Sequence, residues 1–254
     1  MARKVPLKAK QHNSFSMKFE FPKPTVRLLE EFFETSFSSD IDEMKKGTKH
    51  PAHPINDRIR QLISGSKEDK PAGIDIPILV NTSIAHPKST IVLLGQDPLR
   101  NDKDIDCEKK SDNVFIGTPY RFHHPDGLYK PSLIYHQLVE ELTTKGHSVY
   151  LTDVSKYYPS KSKNPKDCVM SNAEMLIREL ECLEGNLTLI LSGKRAELIY
   201  CNDKNGLKAV VDSRHIVCVP HLSGFWALKK WRTIIPEVTP EAKIKHILEQ
   251  IKKH

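Results

Sequence analysis

The run Thr90-Ile91-Val92-Leu93-Leu94-Gly95-Gln96-Asp97-Pro98 carries the decision about the fold. Its apolar part is rich in β-branched residues, shows no alternation with polar ones, and stops too soon for a helix. An unbroken apolar run of this length marks a strand covered on both faces, as in parallel sheets. Three later segments repeat the form: Ser148 to Leu151, Leu187 to Leu191 and His215 to Val219. Helical patterns lie between them. Pro131 to Thr144 aligns Ile134, Leu138 and Leu142, and Ser171 to Leu183 aligns Leu176, Leu180 and Leu183 behind a capping box of Ser171 and Glu174. Strand alternating with helix predicts an α/β fold, a three-layer α/β/α sandwich with a central, mostly parallel four-stranded sheet. Each strand ends in polar or turn residues: Gln96-Asp97, Thr152-Asp153, Ser192-Gly193-Lys194 and Pro220-His221-Leu222-Ser223-Gly224. The carboxyl ends of such strands line the ligand crevice, so these clusters are expected to meet.

Upstream, Val26, Leu29, Phe32, Phe33 and Phe37 fall near helical spacing, and Ile55 to Ile63 gives a second short helix, both expected outside the central sheet. Met1 to Ser16 carries Arg3, Lys4, Lys8 and Lys10 without periodicity and reads as a flexible basic arm, residues 1–16. Residues 17–254 are then one domain with its core motifs at 89–231. Ser64 to Lys70 and Arg100 to Asp112 read as loops. A chain of 254 residues, 38% of them hydrophobic, buries a sizeable core without help.

Composition also removes several classes. No apolar run approaches the roughly 18 to 20 residues that cross a bilayer, and the N-terminus lacks the zones of a secretory signal. The expectation is an intracellular protein, cytoplasmic in a prokaryote or nuclear in a eukaryote, with no membrane partner. Cys107, Cys168, Cys182, Cys201 and Cys218 are odd in number and never spaced CxxC, which argues against a disulfide framework or a zinc ribbon. Thirty-nine Lys and Arg against 32 Asp and Glu give a net charge of +7, which favours a polyanion partner.

Taken in order, the polar clusters resemble the uracil-DNA glycosylase superfamily. Leu94-Gly95-Gln96-Asp97-Pro98 is similar to its water-activating GQDPY loop, with Leu99 where the family has Tyr. Asn113-Val114-Phe115 resembles the place of the aromatic on which an extracted base stacks. Lys130-Pro131-Ser132-Leu133 resembles the loop that pinches the DNA backbone. Leu151-Thr152-Asp153-Val154-Ser155-Lys156 occupies the base-recognition strand end, where the family usually has Asn. His221-Leu222-Ser223-Gly224-Phe225 resembles the HPSPL loop with the catalytic His and the intercalating wedge.

The resemblance implies a monofunctional DNA glycosylase. Asp97 would stabilise the sugar cation and orient water, and His221 would donate to the departing base. Gly-x-Asp-Pro is also ordinary turn chemistry, and a single His after a strand is often structural. Gln96 would offer backbone N–H near the base and Phe115 a stacking face. Phe115 reads equally well as core. Phe225, or Leu222, would be the wedge that offsets unstacking, while Phe225-Trp226 reads as well as the anchor of a following helix. Lys130, Pro131, Ser132, Ser192, Lys194 and Ser223 would contact the backbone, with Arg195, Lys229 and Lys230 nearby. No lysine is placed for a Schiff base, so water is the nucleophile. The four-cysteine Fe-S pattern of some branches is absent, so no cluster, metal or cofactor is implied. DNA is the expected partner, and the chain is expected to act as a monomer.

Two departures bear on the substrate. Leu99 lacks the bulk and hydroxyl of Tyr, which opens the space beside the 5 position of a pyrimidine. An ionised Asp153 only accepts hydrogen bonds, so it suits the exocyclic amine of cytosine and opposes O4 of uracil. The alternative is an offset alignment in which Asp153 caps a loop. The leading expectation is excision of a 5-modified cytosine, such as those in phage DNA, which implies a defence role. Arg121, His123 and His124 are candidate readers of the substituent. Ordinary uracil repair and a noncatalytic DNA-binding module of the same fold stand as the alternatives.

Overall fold

The computed structural model describes residues 17–63, 72–96, 112–124, 130–158, 173–201, 210, 215–224 and 227–253. The basic arm, Asp97, Leu99, Ser171, Phe225 and most of the loops expected at 64–70 and 100–112 lie outside the described residues, as do the side chains of Lys130 and Pro131. The strands are β1 (Phe19–Glu20), β2 (Ala52–Pro54), β3 (Gly73–Asp75), β4 (Ile78–Val80), β5 (Thr90–Gly95), β6 (Asn113–Gly117), β7 (Ser148–Asp153), β8 (Tyr157–Tyr158), β9 (Leu187–Ser192) and β10 (Ile216–Val219). The helices are α1 (Lys23–Phe33), α2 (Ser38–Lys45), α3 (Asp57–Ile63), α4 (Lys130–Thr144), α5 (Ala173–Glu181), α6 (Lys194–Cys201), α7 (Leu228–Trp231) and α8 (Pro240–Ile251).

The expected strands β5, β7, β9 and β10 are all present and mutually parallel, in the spatial order β7-β5-β9-β10. Two strands that the sequence pattern did not announce extend this sheet to six, β4 antiparallel to β7 and β1 antiparallel to β4. The two span only two and three residues, too few for a period to register. The order reverses at β5, whose successors β7 and β9 lie on its two sides, so the switch point falls where Gly95 leaves the sheet.

Both faces are covered, as the continuous apolar strands required. Ile91 and Leu93 point to one side, against Leu138, Leu142, Trp231 and Ile247. Val92 and Leu94 point to the other, against Leu176, Leu180 and Ala196. That alternation produces the three layers.

A second sheet, in the order β2-β6-β3-β8, was not foreseen. Its Ile74, Ile76, Val114 and Ile116 pack with Leu29, Phe33 and Phe37 into a separate core that takes up the first helices. Helix α1 ends at Phe33 rather than continuing to Phe37, because Glu34 takes a left-handed turn at φ 51°. Asn56 fastens the corner. Its amide donates to the carbonyls of Phe33 and Glu34 at 2.8 and 3.1 Å, and its oxygen accepts from the Ile59 N–H at 2.7 Å.

Candidate DNA glycosylase site

At the switch point the polar clusters meet through backbone hydrogen bonds. Val154 N–H donates to the Gly95 carbonyl and Ser155 N–H to that of Gln96, both at 3.1 Å, so the β5 and β7 ends are laced together. Gly193 N–H donates to the Val219 carbonyl at 2.9 Å, lacing β9 to β10. Gly193 has φ +93°, and a side-chain carbon there would come within 3.2 Å of Gln96 Nε2 and 3.4 Å of His221 Cβ. Glycine therefore supplies both the turn and the room that bring Gln96 and His221 together.

His221 is held by three elements. Its Nε2 lies 3.2 Å from the Tyr135 hydroxyl on α4, which also lies 3.2 Å from Ser192 Oγ and accepts the Leu222 N–H at 3.3 Å. Trp231 Nε1 donates to the His221 carbonyl at 3.3 Å, and Lys243 Nζ to that of Leu222 at 2.6 Å. Burial, and then the Lys243 charge, push the imidazole below its ordinary pKa and keep it neutral near pH 7. Nδ1 has no hydrogen-bond partner among the described residues. Burial pushes the Tyr135 phenol up to about 12, so it remains a protonated bridge.

Asp153 closes β7 and is buried beside Gly95. A side-chain carbon at residue 95 would collide with Asp153 Oδ1 and sit 3.0 Å from the Tyr120 hydroxyl. Phe115 is buried in the middle of β6, and its strand neighbours Val114 and Ile116 belong to the core under α1. Alternation turns Phe115 to the opposite face, together with Asp75 two positions beyond Gly73, its partner across the ladder. Asp75, Tyr135 and Asp153 all lie close enough to Tyr120 to raise its phenol, after burial as the larger cause.

The geometry places the remaining expected residues in different surroundings. Ser192 is fully buried, with its hydroxyl committed to Tyr135, so in this conformation it serves the His221 network rather than a phosphate. Leu222 is fully buried in the core beside Trp231. His123 has Nδ1 2.9 Å from Thr118 Oγ1 and Nε2 2.5 Å from the Lys49 carbonyl, so both ring nitrogens are taken by the fold. Ser132 is buried in the first turn of α4, whereas Ser223 is half-buried and Lys194 exposed. A cavity of about 470 Å³ opens beside Gln96, Gly193 and His221, with Lys194 and Lys230 on its wall. Tyr120, Tyr135 and Asp75 escaped the sequence reading. They carry no motif, and only the placement of Tyr120 at Gly95, of Tyr135 at His221 and of Asp75 near Tyr120 singles them out.

The family model of the uracil DNA glycosylase superfamily matches residues 83–250. The chain belongs to the uracil DNA glycosylase superfamily. No curated protein and no solved structure matches it. Membership supports a DNA glycosylase type of function, with DNA as the partner. Among the described residues, no helix is long and apolar enough to cross a membrane. Likewise among the described residues, no group of His, Cys, Asp and Glu is arranged to hold a metal ion.

Proposed function

We propose that this superfamily member is a monofunctional glycosylase that removes a flipped-out base, a 5-modified cytosine, from DNA. The observation that carries the reading is the convergence of Gln96, Asp153 and a neutral, clamped His221 at the switch point of the sheet, beside a cavity walled by Lys194 and Lys230. The C1′–N bond breaks with its electron pair leaving on the base. Water then bonds to C1′ and gives its proton to the Asp97 carboxylate, leaving an abasic sugar. A neutral His221 donates a hydrogen bond to the ring carbonyl on which the departing charge collects. Phe115 stacks on the base, and Asp153 accepts from its exocyclic amine. Lys130, Pro131, Ser132, Lys194 and Ser223 hold the backbone, and Phe225 fills the vacated stack. Leu99 leaves room for the 5-substituent, and contacts made only to that group distinguish the substrate from ordinary cytosine. A role in defence against DNA carrying such bases follows from that substrate.

Uracil excision is the second reading, favoured by the family match itself. A single-turnover base-release assay on duplexes carrying uracil, cytosine or 5-modified cytosines separates the two. Asp97→Asn is expected to lower the rate by on the order of a hundredfold or more while DNA affinity persists. Wild-type turnover by that variant removes Asp97 from the mechanism. Efficient release of uracil alone returns the chain to ordinary repair.

A further inference from the structure

Tyr120 is built at evident conformational expense. It and Arg121 are consecutive non-glycine residues in the left-handed region, at φ 55° and 60°. Backbone strain of this kind persists only where the surroundings enforce it, and it collects at ligand sites. Here the enforcing contact is a face-to-face stack on Tyr135, with ring centroids 3.8 Å apart and planes inclined by 17°. Tyr135 is the same side chain that holds His221, so the Tyr120 ring is fixed relative to the candidate catalytic imidazole. Its hydroxyl is enclosed, yet it has no hydrogen-bond partner among the described residues. It faces the space above Gly95 into which Asp153 Oδ1 also projects. A buried hydroxyl unpaired among the described residues is costly, and a ligand is a partner that would satisfy it.

We propose that Tyr120 is a specificity-determining residue. Its hydroxyl donates to the ring nitrogen of the extracted base while Asp153 accepts from the adjacent exocyclic amine. A donor beside an acceptor is the complement of the amino-pyrimidine edge of cytosine; with uracil the Asp153 carboxylate would face O4, acceptor against acceptor, and the Tyr120 hydroxyl would have to turn from donating to accepting from N3–H. Burial and the neighbouring carboxylates of Asp153 and Asp75 keep the phenol protonated, and so a donor, throughout the neutral range. This assignment rests on the glycosylase reading above and names the edge that the site selects.

The test uses the full chain and its Tyr120→Phe variant. The ring, the stack and the backbone preference are kept, and only the hydroxyl is lost. Affinity is measured for duplexes that are A·T throughout except for one noncleavable 2′-fluoro nucleotide carrying cytosine, 5-hydroxymethylcytosine or uracil. An A·T-only duplex and the melting temperature serve as controls. The expected result is a wild-type preference for the cytosine edge that falls about tenfold or more in Tyr120→Phe. Melting temperature stays equal or rises, and A·T-duplex affinity is unchanged. A wild-type preference that survives intact in Tyr120→Phe overturns the role of Tyr120 alone. Equal wild-type affinity for all three bases overturns the cytosine-edge reading together with this proposal. A wild-type preference for uracil that the variant erases keeps Tyr120 as the reader and overturns the choice of base.

Discussion

The Tyr135 hydroxyl stands 3.2 Å from both Ser192 Oγ and His221 Nε2, so one phenol on α4 joins the ends of β9 and β10. It also accepts the Leu222 N–H. Tyr135→Phe should therefore cost about 1–3 kcal/mol of stability, because buried polar partners are left unpaired. Base release should slow by about tenfold as His221 loses its orientation. Urea unfolding reads the first effect and single-turnover kinetics the second, and an unchanged rate would show that the phenol has no part in orienting the imidazole.

Lys243 lies 5.6 Å from the Trp231 ring centroid, and its charge is one cause of the lowered His221 pKa. Removing a positive neighbour favours protonation. Lys243→Met should move the His221 titration to higher pH, and the acid limb of the pH–rate profile should follow it. Imidazole NMR shifts followed against pH check the direction.

His136 stacks on Phe122 at 3.9 Å, and burial pushes its pKa down to about 4, against some support from the Tyr120 carbonyl. The unfolded chain binds this proton near pH 6.5 and the native chain only near 4. Stability is thus full above about 6.5 and falls as pH drops toward 4, by up to about 3 kcal/mol from this ring, less what its partial exposure relieves. Replacing it by Leu should flatten the stability profile across that window in chemical denaturation at stepped pH.

Lys156 and Glu179 form an ion pair with almost no exposure, supported by Lys156 Nζ donating to Thr152 Oγ1 at 2.6 Å and by the Tyr150 hydroxyl donating to Glu179 at 2.7 Å. Lys156→Met alone should cost about 3–5 kcal/mol, because a carboxylate is stranded. Adding Glu179→Gln removes that charge and keeps an acceptor for Tyr150, so the double variant should recover much of the loss. A double variant no better than the single would assign the loss to packing.

Lys194 and Lys230 share a cavity wall beside His221. Each substitution to Ala should reduce the slope of log affinity against log salt by about 0.9 on nonspecific duplex, the value for one released counterion. Slopes that do not move would place the DNA track elsewhere on the surface.

Residues 91–94 announced a doubly covered strand because every side chain there is apolar and both faces must be buried, a purely local consequence of composition. The other three parallel strands, the helices between them, and the gathering of their polar ends followed from the same pattern. Strands β1 to β4 are too short to carry a period, so their existence depends on partners distant in the chain. Which side chains share the site was likewise a tertiary matter. Ser192 and Leu222, expected from the sequence at a DNA backbone contact and at the wedge, are fully buried, because Tyr135 and Trp231 reach them from α4 and α7. Tyr120 looked ordinary and stands over Gly95, because a left-handed turn and a stack on Tyr135 carry it there. Local polarity and spacing determine what a segment becomes. Only long-range packing determines which atoms then face one another, since the energy of each such contact belongs to two distant parts of the chain.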